Sequence, residues 1–124
     1  MNDRDGRRYR VLLVKDEVVV AMLMEDILAD LGCEVTATAT RVEDALTAAK
    51  SGSFDFAILD VNLNGSLSYP IADILRQRNI PIIFATGYGT KDLDASYAGA
   101  PTLQKPFRPA DLEAAVSRIL SAGA

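Results

Sequence analysis

The stretch Phe54-Asp55-Phe56-Ala57-Ile58-Leu59-Asp60 decides the fold of this chain. Its unbroken apolar centre favours a β-strand that is covered on both faces, as in a parallel sheet. The strand ends in a carboxylate, and the turn-forming residues Asn62-Leu63-Asn64-Gly65 follow almost at once. Because open α/β sheets bind their ligands at the carboxyl ends of the strands, Asp60 is the first candidate for a functional residue.

Strand-like and helix-like patterns alternate along the whole chain, which favours βαβ units around a parallel sheet. Strands are predicted at Tyr9–Lys15, Glu34–Thr40, Phe54–Asp60, Ile80–Ala85 and Thr102–Lys105. Helices are predicted at Val18–Leu31, Val42–Ser51, Pro70–Arg78 and Pro109–Ser121, with a short, mobile helix within Gly87–Gly99. With right-handed crossovers, the predicted fold class is α/β, a doubly wound five-stranded parallel sheet with helices on both faces.

The spacing of apolar residues also predicts which helix faces are buried. The first helix is expected to stop at Gly32 and to bury Leu23, Ile27, Leu28 and Leu31. The second helix is expected to bury Val42, Ala45, Leu46 and Ala49, and the last helix Leu112, Val116, Ile119 and Leu120.

Composition narrows the class of protein. The 124 residues fit one domain, and we expect residues 1–8 to form a disordered leader and residues 9–122 the folded domain. A formal net charge of −4 argues weakly against nucleic-acid binding, and no apolar run is long enough to cross a membrane. The single cysteine, Cys33, is expected to be a core residue in a reducing compartment, so a cytoplasmic location is predicted. Since the chain has no histidine, it carries no His-based triad, zinc-histidine site or phosphohistidine.

Polar residues follow three other predicted strands. Asp16 and Glu17 follow the first strand, Thr86 the fourth and Lys105 the fifth. Because parallel strands end at the same edge of a sheet, these side chains should converge on Asp60. The set suits an aspartyl phosphate, in which a carboxylate takes the phosphoryl group while a hydroxyl and an ammonium hold its oxygens.

Four segments in this order resemble the receiver domain of bacterial response regulators. They are Val14-Lys15-Asp16-Glu17, Leu59-Asp60-Val61-Asn62, Ala85-Thr86-Gly87 and Lys105-Pro106-Phe107. The resemblance covers about Arg10 to Leu120 and implies the flavodoxin-like strand order 2-1-3-4-5. The string Phe84-Ala85-Thr86-Gly87-Tyr88-Gly89 further resembles a subgroup of stand-alone receivers named for a Phe-Ala-Thr-Gly motif.

The resemblance assigns a role to each matching position. Asp60 becomes the phosphorylation site, Thr86 the switch hydroxyl and Lys105 the lysine that pairs with phosphate and carboxylate. Asp16, Asp60 and the backbone carbonyl of Asn62 become ligands for Mg²⁺, which prefers one or two carboxylates completed by water and phosphate oxygens. Pro106 has a family precedent for a cis peptide bond and strengthens the assignment of Lys105.

Lys15 departs from the family pattern, which has two adjacent acids at the end of the first strand. An ammonium near a dication opposes metal binding, so we expect weakened Mg²⁺ affinity and altered rates of phosphorylation or dephosphorylation. The same ammonium could neutralise Asp60 or its phosphoryl group without metal. Alternatively, Lys15 extends into solvent and matters little. Glu17 could compensate, through a water-mediated metal contact or as an ion-pair partner of Lys15.

Two further departures concern switching. Thr102 stands three residues before Lys105, where many receivers have an aromatic side chain whose rotation couples to the switch hydroxyl. Tyr88 is a candidate replacement, although it could equally be a surface loop residue. In relatives a firmer helix lies where this chain has the short Gly87–Gly99 segment. Such a pliable segment could become ordered when a phosphoryl group draws Thr86 inward.

The predicted function is that of a single-domain response regulator in a two-component phosphorelay. A histidine kinase or histidine phosphotransfer protein would phosphorylate Asp60. An unknown downstream protein would read the result from the face of the fourth helix, fifth strand and fifth helix. We expect no ordinary enzyme activity beyond assistance to its own phosphorylation and dephosphorylation, no nucleic-acid or membrane partner, and a monomer or weak dimer.

Three alternatives compete with this prediction. A phosphorylation-independent receiver-like interaction module would use Lys15 to lock Asp60 in a permanent ion pair. A phosphohydrolase with an aspartate nucleophile is disfavoured because Asn62 replaces the general acid and no cap domain fits. A flavin or nucleotide site is disfavoured because no glycine-rich phosphate loop follows the first strand.

Overall fold

The strands and helices lie close to their predicted positions. The computed structural model describes residues 8–63, 65–86, 95–97, 99–105 and 107–122. The strands are β1 (Tyr9–Val14), β2 (Cys33–Ala39), β3 (Phe56–Asp60), β4 (Asn62–Leu63), β5 (Ser66–Leu67), β6 (Ile82–Thr86) and β7 (Thr102–Gln104). The α-helices are α1 (Val18–Asp30), α2 (Val42–Ser51), α3 (Tyr69–Gln77) and α4 (Pro109–Ala122), and Ala95–Tyr97 forms a 3-10 turn.

Two predicted segments fall wholly or largely outside the described residues. They are the leader over residues 1–8, of which Arg8 alone is described, and the short helix predicted within Gly87–Gly99. The Arg8 guanidinium donates a hydrogen bond to the Ala29 carbonyl oxygen at 2.9 Å. Within the described ranges, no helix has the length and apolar character needed to cross a membrane.

Five strands form one parallel sheet in the order β2-β1-β3-β6-β7. This is the predicted order 2-1-3-4-5 once the short strands β4 and β5 are set aside. The central strand β3 pairs with β1 on one side, where Ile58 lies opposite Leu13, and with β6 on the other. Asp60 pairs with Ala85 of β6, so the carboxylate lies at the carboxyl edge in the middle of the sheet.

Alternate side chains of the sheet feed two separate cores, which confirms the doubly wound architecture. In the central strand β3, Ala57 and Leu59 join the core covered by α2 and α3, whereas Phe56 and Ile58 join the core covered by α1 and α4. All five residues of β3 are buried, because helices cover both faces of the strand.

The orientation predicted for α1 is partly wrong. Leu23 was expected to be buried but is 59% exposed, and the fully buried positions of the helix are Ala21, Met24 and Leu28. The helix is apolar nearly all round, so periodicity alone does not select the face that packs on the sheet. The small side chain of Ala21 lets the helix approach the strands, and this leaves Leu23 on the outer surface.

A short antiparallel hairpin follows β3, where only a turn was predicted. Asn62 pairs with Leu67, and Leu63 pairs with Ser66. Gly65 adopts a φ of +92°, a left-handed conformation that favours glycine, and its N–H donates to the Asn62 side-chain oxygen at 2.7 Å. The turn chemistry is therefore as the sequence indicates, and the two-residue strands were missed because they are too short to show a period.

The orientation of α1 can be tested with the same truncation at two positions. Leu28→Ala should lower the free energy of unfolding by about 2–5 kcal/mol, since it leaves a cavity in a packed core. Leu23→Ala should change it by roughly 0.5 kcal/mol or less, because the side chain is largely solvated. Urea unfolding of both variants measures the difference, and equal losses would contradict the observed orientation.

Candidate functional site

The Asp60 carboxylate lies at the centre of the candidate site. It is 1% exposed, and its oxygen Oδ1 accepts a hydrogen bond from the Lys15 Nζ at 2.8 Å and forms an ion pair with the Lys105 Nζ at 2.9 Å. Its other oxygen, Oδ2, accepts the backbone N–H of Asp16 at 3.2 Å. A buried charge is costly unless it is paired and hydrogen-bonded, and here two cations and an amide meet that requirement.

Lys15 is enclosed in the fold directly after β1. Its side chain is 1% exposed, and its backbone N–H donates to the Ala39 carbonyl oxygen at 3.1 Å. The ammonium also lies 5.8 Å from the centre of the Phe107 ring, within the range of a cation–π contact. Burial lowers the pKa of Lys15 from its usual value, while the nearby Asp60 charge acts in the opposite direction. The alternative in which Lys15 extends into solvent is therefore wrong.

Lys105 and Thr86 reach the site from the neighbouring strands. The backbone N–H of Lys105 donates to the Thr86 carbonyl oxygen at 2.8 Å, which fixes the residue after β7 beside the end of β6. The Lys105 side chain is 36% exposed, so its ammonium contacts both Asp60 and solvent. Thr86 is buried and follows Ala85, the residue that pairs with Asp60. The predicted convergence of strand ends on Asp60 thus appears in the structure.

The predicted metal-site residues surround Asp60 unevenly. Asp16 is half-buried and donates its backbone N–H to Asp60, whereas Glu17 is exposed at the N-cap position of α1. Between described residues, Lys15 forms its ion pair with Asp60 and not with Glu17. Asn62 is exposed, and its side-chain oxygen accepts the hydrogen bond that closes the hairpin turn.

The side chains at this edge of the sheet combine carboxylates with two ammoniums, those of Lys15 and Lys105. No group of three or more His, Cys, Asp or Glu side chains in the described part of the chain could hold a metal ion. Oxygen Oδ1 of Asp60 already pairs with two ammonium groups. At about 4 Å and an effective dielectric constant of about 20, two like unit charges repel by about 4 kcal/mol, and a dication doubles this.

The two remaining predicted residues, Tyr88 and Pro106, lie outside the described residues. The structure instead brings Tyr97 into an aromatic cluster on β6. Its ring packs edge-on against Phe84 at 5.2 Å and stacks on Tyr69 at 5.8 Å, and its hydroxyl donates to Asp73 at 2.6 Å. Burial, together with that hydrogen bond, raises the pKa of Tyr97 to about 12.

Sequence reasoning missed Tyr97 because its segment has no periodic pattern. The available signal was its size, since Tyr97 is the one large side chain between Leu93 and Leu103. Tyr97 contacts Phe84 through its ring and Asp73 of α3 through its hydroxyl. Since Phe84 is two residues before Thr86 on β6, Tyr97 connects α3 to the strand that ends at the candidate site.

An apolar cleft of about 480 Å³ opens beside the site, between α1 and the start of α4. Its lining includes Lys15 and Lys105 together with Val20, Ile27 and Phe107. Next to it lies a group of exposed apolar side chains on α1, which we call the α1 patch. The α1 patch comprises Val18, Val19, Met22 and Leu23, which are 58–71% exposed.

Comparison with known proteins gives a consistent result. The model of the response regulator receiver domain matches residues 11–117. The phyllosphere-induced regulator PhyR of Methylorubrum extorquens is 32% identical over 114 residues, which cover 89% of this chain and 43% of that protein.

Two solved structures extend the comparison. The solution structure of SdrG from Sphingomonas melonis Fr1 has 38% identity and a TM-score of 0.81, and the match covers 91% of this chain and 97% of that one. The anti-anti-sigma factor PhyR from Bartonella quintana has 26% identity and a TM-score of 0.80, over 94% of this chain and 49% of that one. The chain therefore spans about half the length of the PhyR relatives and almost all of SdrG.

The coupling between Lys15 and Asp60 can be measured with a double-mutant cycle. Asp60→Asn should destabilise the fold by about 3–5 kcal/mol, because it leaves the Lys15 ammonium buried without a carboxylate. The same change made in a Lys15→Met background should cost much less, and urea unfolding of all four proteins gives the coupling free energy. Lys105→Met is the matched control, because it removes the more exposed of the two lysine partners of Asp60. If the effects of the Lys15 and Asp60 substitutions on the free energy of unfolding are simply additive, the buried ion pair is contradicted.

Proposed function

Because the chain belongs to the response regulator receiver domain family, we propose that it accepts a phosphoryl group on Asp60 from a phosphohistidine protein. The observation that carries the proposal is the convergence on the Asp60 carboxylate of two lysine ammoniums, Lys15 and Lys105, beside the end of the strand that bears Thr86. Receiver domains are signalling domains and not ordinary enzymes. The phosphodonor is a histidine kinase or a histidine phosphotransfer protein.

The transfer uses groups that the fold has already placed. An Asp60 oxygen attacks phosphorus in line, the bond from phosphorus to the donor nitrogen breaks, and its electron pair stays with the imidazole. Negative charge moves from the carboxylate to the phosphoryl oxygens, where the lysine ammoniums donate hydrogen bonds. Water attack on the same phosphorus returns Asp60 to its free state.

The output of the proposed switch passes through Thr86. A phosphoryl group on Asp60 presents new acceptor oxygens to the Thr86 hydroxyl on the adjacent strand, and β7 lies beyond that strand at the edge of the sheet. We infer that a downstream protein reads this region. Tyr97 contacts both β6 and α3, because its ring packs against Phe84 and its hydroxyl donates a hydrogen bond to Asp73.

A second candidate function is a phosphorylation-independent interaction module. The observation that favours it is the Lys15–Asp60 ion pair, because Asp60 is neutralised before any phosphoryl group arrives. This hypothesis predicts that the chain binds its partner equally well with and without a phosphodonor. The phosphoacceptor hypothesis predicts that phosphorylation changes the affinity for the partner.

Phosphorylation of Asp60 is tested by intact mass after incubation with phosphoramidate in buffer that contains MgCl₂. The wild-type chain should gain the mass of one phosphoryl group, and the product should be labile at alkaline pH, since an acyl phosphate is a mixed anhydride. Asp60→Asn should gain nothing. Asp44→Asn, an exposed aspartate on α2, is the matched control and should behave as wild type. Absence of the gain in the folded wild-type chain would overturn the proposed function.

The α1 patch is the surface that we assign to the phosphodonor protein. It adjoins the cleft that opens onto Lys15 and Lys105, so an apolar partner surface seated there would bring its phosphohistidine to Asp60. Exposed apolar side chains in such a group mark an interaction site more often than an accident of surface composition.

Met22→Glu should therefore slow phosphotransfer from a protein donor and leave phosphorylation by phosphoramidate unchanged. Stability should change by about 0.5 kcal/mol or less, because Met22 is 58% exposed. Transfer is measured from histidine kinases of the source organism, each phosphorylated beforehand with labelled ATP. Leu67→Glu, on β5, is the matched exposed apolar control, at 53% exposure. Equal slowing by both variants would argue against the α1 patch.

A further inference from the structure

Two lysine ammoniums, from Lys15 and Lys105, already pair with one oxygen of the phosphoacceptor carboxylate. Asp60 Oδ1 accepts Lys15 at 2.8 Å and pairs with Lys105 at 2.9 Å, and Oδ2 accepts the Asp16 N–H at 3.2 Å. Both carboxylate oxygens therefore have donors. A divalent ion bound here would have to displace a buried ammonium, because Lys15 is 1% exposed.

The remaining donors do not recover a metal site. Mg²⁺ requires an octahedral set of oxygen ligands and is held in proteins by one or two carboxylates with several waters. Asp16 would supply a second carboxylate, but the Asp60 carboxylate that it would join is already paired with two ammoniums. Within the described segments, no group of three or more His, Cys, Asp or Glu side chains gathers to add further ligands. The Phe107 ring, whose centre lies 5.8 Å from the Lys15 Nζ, adds a cation–π contact that helps to hold the ammonium in place.

We propose that Lys15 supplies the resident positive charge of the site and that Asp60 accepts a phosphoryl group without a divalent metal ion. The inference rests on the proposed phosphoacceptor role of Asp60 and adds the identity of the cation. Lys15 is tied to β1, so its charge is a permanent part of the folded chain. Lys105, which is 36% exposed, can follow the phosphoryl oxygens as they arrive.

The group transfer balances without any further reactant. One oxygen of Asp60 forms a bond to phosphorus, and the bond from phosphorus to the nitrogen of a phosphoramidate breaks. The nitrogen keeps the electron pair and takes a proton from solvent as ammonia or imidazole leaves. Lys15 and Lys105 keep their protons throughout, because they act by charge and hydrogen bonding and not as acids.

The test compares phosphoramidate labelling of the wild-type chain in excess EDTA and in saturating MgCl₂, followed by intact mass against time. The rate and extent of phosphoryl gain should be equal in the two conditions. In Lys15→Asp, which adds the second acid and removes the ammonium, labelling in MgCl₂ should exceed labelling in EDTA on the order of tenfold or more. Lys50→Asp, an exposed lysine at the end of α2, carries the same charge change and should respond as wild type.

Thermal unfolding gives a second readout that does not depend on phosphorylation. MgCl₂ should leave the Tm of the wild-type chain unchanged and should raise the Tm of Lys15→Asp, because a ligand that binds the folded state alone stabilises it. Circular dichroism of Lys15→Asp in MgCl₂ establishes that the variant is folded under the labelling conditions.

The possible outcomes distinguish metal-independent phosphorylation from the phosphoacceptor role of Asp60 itself. Wild-type labelling that needs MgCl₂ overturns the inference and leaves Asp60 as the phosphoacceptor. No labelling in either condition overturns both. Metal-independent labelling of Lys15→Asp, with no Tm shift in MgCl₂, also overturns the inference, because the independence then does not come from Lys15.

Discussion

The ion pair between Lys15 and Asp60 is the contact on which the rest of the site depends. Parallel pairing of β1 with β3 brings the residues at the ends of both strands to one edge of the sheet, where Lys15 and Asp60 are both buried. A carboxylate in such a position needs a counter-charge that is equally enclosed. Lys15 provides it at 2.8 Å, and Lys105 adds a second ammonium from the exposed side. The same strand order that builds the fold therefore also sets the charge state of its candidate site.

The chemical character of the site follows from where these two ammoniums sit. A metal ion is an exchangeable ligand whose occupancy depends on its concentration, whereas a lysine on a buried strand end is always present at one equivalent. Its side chain also cannot leave when the phosphoryl group does. The receiver fold is thus combined here with a fixed positive charge beside Asp60, while the partly exposed Lys105 side chain supplies the second ammonium.

Much of this arrangement was predictable because parallel sheets place successive strand ends at one edge. The positions of Asp60 and Thr86 followed from apolar runs that each end in one polar residue, and Lys105 follows the short strand predicted at Thr102–Lys105. The burial of Lys15 did not follow, because a long side chain has many rotamers and the choice depends on Phe107 and Lys105, far along the chain. Leu23 was misplaced because α1 is apolar on nearly every face.

The pairing of Lys15 with Asp60 also has a consequence for the folding kinetics of the chain. The two residues are 45 positions apart, and α1, β2 and α2 lie between them along the chain, so their contact closes a long loop. Dehydration of a lone ammonium is unfavourable, so the contact belongs to the native side of the folding barrier. A stronger Lys15–Asp60 ion pair therefore mainly slows unfolding, so the candidate site also sets the lifetime of the folded state.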